Sequence, residues 1–198
     1  MNKEKFWELI EEVKQRCKDN LQDMAPELEK RLSEYSVKDV QKFCGIYDTY
    51  HTAMNTPGMI SIAHLMNHEM LTDDGFIDFR NWLIAQGKEV FMKTMENPEF
   101  LAEYPGQSID GWYEFEIFGY VGTKVIENKT GNYKLAHKRL SDTERNRILQ
   151  EIKFGDFIDK DMSLEEMKHA FPKFTEKFII ENEEYDLEGR LAEIDFGI

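Results

Sequence analysis

The sequence predicts an all-α fold, a compact multi-helix domain with a short C-terminal helical extension. Apolar residues recur at three- and four-residue intervals through most of the chain, the spacing that lines one face of a helix. Serine or threonine stands just ahead of several of these runs, at Ser36, Thr72, Ser141 and Ser163, where a side-chain oxygen can cap a first turn. With helical period in nearly every segment, no sheet of three or more strands is expected before Asn128.

Phe6, Ile10, Val13 and Cys17, with Trp7 beside them, predict an amphipathic helix over about Lys3 to Lys18. Leu28 and Leu32 predict a second over Pro26–Glu34, with Pro26 in the first turn, where a missing N–H costs nothing. Ser36-Val-Lys-Asp39 opens a helix through Val40, Phe43, Tyr47 and Tyr50, and Asn55-Thr-Pro-Gly58 ends it. The next helix holds Ile60, Ala63, Leu65 and Met66 and stops near Met70. Thr72-Asp-Asp-Gly-Phe76 is the clearest start in the chain: a cap, then two acids at the positive end of a helix dipole. Its helix carries Phe76, Phe79, Leu83, Val90 and Phe91; Gly87 either interrupts it or admits a neighbour closely.

Asn97-Pro98 begins a short piece that ends at Tyr104-Pro-Gly106, and Trp112, Phe115, Phe118 and Val125 predict a helix over 110–127. Gly119 and Gly122 on it are best explained by close helix packing, since the phosphate-loop spacing is missing. Residues 129–140 are polar, basic and aperiodic, so the expected organisation is a helical domain over 1–128, a connection, and a C-terminal segment over 141–198. In that segment Ser141/Glu144 and Ser163/Glu166 have capping-box spacing, with expected stops at Gly155 and Phe171-Pro172. The tail from Lys173 mixes aromatic and acidic residues and fits helix or strand.

The length of 198 residues suffices for a core without disulfides or metal. With 25 basic against 39 acidic residues the net charge is −14, which opposes binding to nucleic acid or to anionic lipid. It suits a basic protein partner. No apolar run is long enough to span a bilayer, the first residues lack a signal-peptide core, and Cys17 and Cys44 lack redox or zinc spacing. A cytoplasmic location is therefore the expectation.

The block Thr72-Asp-Asp-Gly-Phe-Ile-Asp-Phe-Arg-Asn-Trp-Leu-Ile-Ala-Gln-Gly-Lys-Glu-Val-Phe91 resembles the bacterial family called domain of unknown function 4240. That family has the form D-D-x-F-x-x-F-R-x-W-L-I-x-x-G-[KR]-x-V-[FY]. Phe6-Trp7 and Asn97-Pro98-Glu99 fit it as well, so the resemblance runs from about Phe6 to Glu127. It implies a small helical domain and brings no catalytic residues with it.

Two sets of side chains are candidates for chemistry. Asp73, Asp74, Asp78 and Arg80, with Trp82 and Gln86 near them in sequence, could bind a ligand or supply acid–base groups. Capping accounts for the two leading acids without any site. His64 and His68, four apart on one helical face, could join His51 around a metal. The H-E-x-x-H pattern is missing, so packed or solvated histidines are the expected state, and no metal or cofactor is expected. The function these readings favour is a non-enzymatic protein-interaction module, with a protective, immunity-type role toward a basic protein among its forms. The alternative is a small-molecule or nucleotide-processing enzyme working through Asp73, Asp74, Asp78 and Arg80.

Overall fold

Among the described residues of the computed structural model, ten α-helices and two 3₁₀ turns follow one another and no strand occurs. Those are residues 1–195 other than Asp19, Glu69 and Pro105, with side chains described as far as Glu183. The helices are α1 (Lys3–Arg16), α2 (Leu21–Ser33), α3 (Val37–Ala53), α4 (Pro57–Met66) and α5 (Asp73–Ala85). They continue as α6 (Lys88–Glu96), α7 (Glu116–Thr130), α8 (Asp142–Leu149), α9 (Leu164–Ala170) and α10 (Pro172–Asp195). The 3₁₀ turns span Pro98–Ala102 and Tyr133–His137.

Helix α5 is the centre. Nine of its thirteen residues are buried, from Gly75 and Phe76 through Phe79 to Ala85, and a helix enclosed nearly all round belongs to the core rather than to a surface. Thr72 caps it, the hydroxyl accepting from the Gly75 N–H at 3.0 Å. Gly87, at φ +94°, ends the run and separates α5 from α6; a left-handed backbone there favours glycine. The Lys88 N–H that opens α6 is taken by the Glu11 carboxylate of α1 at 3.1 Å. On the other side of the core Phe6, Trp7, Tyr50 and Phe91 meet ring to ring, with centroids 4.8–5.7 Å apart. Each such pair adds about 0.5–1.5 kcal/mol to the burial itself.

The later helices close the core from outside. Ile148, Ile152, Phe157, Ile158, Met167, Phe171, Phe174 and Phe178 are all buried in the same apolar cluster as α1–α7. Residues 155–162 dock by backbone contact: the Gly58 N–H donates to the Ile158 carbonyl at 2.9 Å, and the Gly155 N–H to that of Met95 at 2.9 Å. Glu99 then starts α10, its carboxylate accepting from the N–H groups of Lys173 and Phe174 at 2.9 and 3.1 Å. That is a cap delivered from a distant turn.

Several expected boundaries are corrected. Helix α2 begins five residues before Pro26, because Asn20 caps it by accepting from the Gln22 N–H. Pro26 therefore lies inside the helix. Helix α7 starts at Glu116, not near Asp110; residues 110–115 form an irregular turn held by an Ile109–Trp112 bridge. Helix α8 ends at Leu149, six residues short of Gly155. The tail is helical from Pro172 to Asp195; residues 196–198, and the side chains from Glu184 onward, lie outside the described part.

Candidate functional site

The residues marked out from sequence do not share one cavity. Asp73 and Asp74 are exposed at the first turn of α5, while Arg80, Trp82 and Gln86 are buried. Trp82 donates its indole N–H to the Gln107 carbonyl at 2.8 Å. Gln86 donates to the Trp82 carbonyl and accepts from Tyr104, and Lys14 donates to its backbone carbonyl. Both side chains serve packing. Arg80, 8% exposed, lays its guanidinium 4.7 Å over the Phe76 ring. It donates to the carbonyls of Phe76 and His51, each at 3.3 Å. Burial pushes its pKa down, and no carboxylate pairs with it among the described residues.

Arg80 is turned inward, and among the described residues no cation pairs with the acids near it. Asp78 sits one turn into α5, and its carbonyl accepts the Phe115 N–H at 3.0 Å, which brings Glu114 and Glu116 beside it. Burial and the charges of Glu116, Glu114 and Asp74 raise the Asp78 carboxyl to about 6. Burial raises Glu114 too. Three apolar side chains open to solvent adjoin this acidic end: Ile77 at 41%, Ile117 at 55% and Tyr120 at 61% exposure.

The histidines go separate ways. Helix α4 ends at Met66, and His68 takes φ +55° beyond it, so His64 and His68 do not share a helical face. His68 meets the Gly111 carbonyl at 3.0 Å and packs edge-on against Trp112. Glu69, next in sequence, lies outside the described residues. His51 reaches the Ile77 carbonyl through Nε2 at 3.2 Å and stacks on Tyr47. Among the described residues no three His, Cys, Asp or Glu side chains gather as a metal would require.

His51 lines a cleft that the sequence did not reveal. About 410 Å³ in volume, it lies between α3 (Phe43 to His51), α5 (Ile77, Asn81), α7 (Phe118 to Thr123) and residues 136–139. Its inner wall is a hydrogen-bonded chain in which Tyr47 donates to Asn81 at 2.7 Å and Asn81 donates to Asp78 at 3.3 Å. Burial lifts the Tyr47 hydroxyl well above its ordinary pKa, and lifts the Cys44 thiol to about 12. Burial and the Arg80 charge hold His51 down at about 4, so its ring is neutral at pH 7. The two glycines of α7 serve helix packing: a Cβ would meet the Asn81 amide at Gly119 and the Cys44 sulfur at Gly122.

An all-α domain wrapped around one buried helix is the class that these features define. The chain belongs to the DUF4240 family, described as a protein of unknown function, whose model matches residues 1–128. No curated protein and no solved structure matches it. No helix among the described residues is long and apolar enough to cross a membrane.

Proposed function

We propose that this protein is a non-catalytic interaction module that docks a basic protein on the acidic end of α5 and α7. The observation that carries this reading is the joining of exposed Ile77, Ile117 and Tyr120 to the uncompensated carboxylates of Asp74, Asp78, Glu114 and Glu116. Apolar side chains in the middle with charge around them are the usual make-up of a docking face, and crowded acids select a partner of opposite sign. The net charge of −14 steers the same kind of partner from a distance. A protective, immunity-type role toward a basic protein in the cytoplasm of a bacterium is one form of this function.

The enzymatic alternative needs Arg80 and the acids to face one cavity. Arg80 instead bonds to two carbonyls in the core, which supports scaffold over catalysis at this block. The test is capture from the native host with the wild-type chain and with an Ile117→Ser/Glu116→Gln double variant. A basic protein held by the wild type, released by salt and lost from the variant is the expected result. A partner held equally by both, or an acidic one, would overturn the reading.

A further inference from the structure

We propose that the cleft between α3, α5, α7 and residues 136–139 binds a small molecule that joins a flat aromatic ring to an anionic group. The proposal stands apart from the docking face, although Ile77 and Tyr120 border both.

The cleft has two chemically different ends. At one, Lys138 runs beside Gly45 of α3, its carbonyl 3.4 Å from where a Cβ at Gly45 would stand. Here His137, Lys138 and Arg139 line the wall. Neither Lys138 nor Arg139 enters an ion pair among the described residues, although the protein as a whole has a large acidic excess. Two neighbouring cations on a concave wall can each give an anion a charge-assisted hydrogen bond.

At the other end His51 stands six residues and therefore about 9 Å along α3 from Gly45, beside Ile77 of α5, with Tyr47 one turn before it. The Tyr47 and His51 rings lie nearly parallel, 17° apart with centroids at 6.0 Å, and Tyr120 is the most open aromatic of the lining. Tyr47 already stacks on both Phe43 and His51, so the ring surface open to a flat ligand is that of His51 and Tyr120. His51 adds a specific acceptor. The Ile77 carbonyl can only accept, so it fixes the proton of the neutral ring on Nε2 and leaves the Nδ1 lone pair available. Asp48, between the two ends, can take a hydroxyl or amino donor. A volume of about 410 Å³ lies in the range of small-ligand pockets.

Isothermal titration calorimetry with the full chain tests this, using AMP and salicylate as the two aromatic anions and adenosine and inorganic phosphate as controls. Saturable binding of at least one aromatic anion, about tenfold or more tighter than either control, is expected. If only AMP binds, the anionic group is a phosphate; if only salicylate binds, it is a carboxylate. Lys138→Glu with Arg139→Glu should weaken that binding about tenfold or more, since each charge-assisted hydrogen bond contributes that much. Both residues are exposed, so the variant should melt like the wild type. Thr123→Tyr, which would fill the cleft, should abolish binding while leaving capture of a basic partner intact. No saturable binding of either aromatic anion at millimolar concentration would overturn the proposal. So would equal binding of adenosine or phosphate, or an unchanged affinity in the charge-reversed variant.

Discussion

Replacing Asp78 by Asn should stabilise this protein at neutral pH, an unusual direction for a change at a half-buried helix position. The Asp78 carboxyl stands at about 6 instead of its ordinary 3.8, because burial and then Glu116, Glu114 and Asp74 all disfavour its charge. A pKa raised on folding means that the native state binds the proton more tightly than the unfolded chain. Stability is therefore unimpaired below about pH 4, falls as pH rises toward 6, and stays lower above it. The distance between those two values sets a ceiling of about 3 kcal/mol. Asp78 keeps contact with water, and screening reduces the expected cost to about 1 kcal/mol. Asn preserves the side-chain oxygen that accepts from Asn81 at 3.3 Å and leaves the backbone bond from Phe115 untouched. Thermal melts of both proteins from pH 4 to pH 8 should show the variant ahead by about 2–4 °C at pH 7.5. The two curves should converge near pH 4. A variant that melts lower at pH 7.5, or a difference that ignores pH, would refute the charge-crowding argument and remove the main support for a docking face there.

Other changes read the scaffold. Leu83→Ala should cost about 2–5 kcal/mol in urea unfolding, since Leu83 is fully buried; a loss under about 1 kcal/mol would contradict its place in the core. Thr72→Ala should cost about 1 kcal/mol, the usual contribution of an N-cap, and Thr72→Ser should restore most of it. Gly58→Ala should cost roughly 1–3 kcal/mol or more, because a Cβ there would lie 2.1 Å from the Phe157 carbonyl oxygen. Limited proteolysis of that variant should cut first within 155–162; cleavage elsewhere at the wild-type rate would argue against docking by this contact.

The helix starts were legible in the sequence because a cap is a local event. Ser36 accepts from the Asp39 N–H, and the capping boxes of Ser141 with Glu144 and Ser163 with Glu166 form as their spacing predicts. Phe76, Phe79, Leu83 and Val90 are buried as their period requires. Boundaries shifted where a strong pattern misled. Trp112, Phe115 and Phe118 repeat like a helix face, yet Asp110 and Gly111 take φ of +52° and +84° and cannot continue one; the Asp-Gly pair is the signal of that break. Pro26 has the look of a first-turn proline, but Asn20 supplies an earlier cap. The cleft was illegible for a different reason. Its walls come from α3, α5, α7 and residues 136–139, and no spacing rule links Tyr47 to Asn81 or Gly45 to Lys138. Charge crowding at Asp78 was equally hidden, since it depends on the Phe115–Asp78 backbone bond that carries Glu114 and Glu116 to α5.

How the central block divides between scaffold and surface bears on what family membership can mean. The letters that carry the resemblance include Phe76, Phe79, Arg80, Trp82, Leu83, Ile84, Gly87, Val90 and Phe91, and every one of them is buried. The positions left open in that pattern include Ile77, Asp78 and Asn81. Ile77 and Asp78 face the proposed docking surface, and Ile77 and Asn81 line the cleft. Arg80 shows the division most clearly. As a charged residue it invites a functional reading, but its guanidinium ties the Phe76 carbonyl of its own helix to the His51 carbonyl of α3. It therefore holds α3 against α5 and sets where His51 stands, at the edge of the cleft. Apart from Asp73 and Asp74, which are exposed at the first turn of α5, the recognisable residues named here build the frame, and the side chains between them, with Asp74, form its surface. The cleft also draws on residues 136–139, outside the 1–128 that the family model matches, so sharing the block implies a shared α5 and its packing, not a shared cleft.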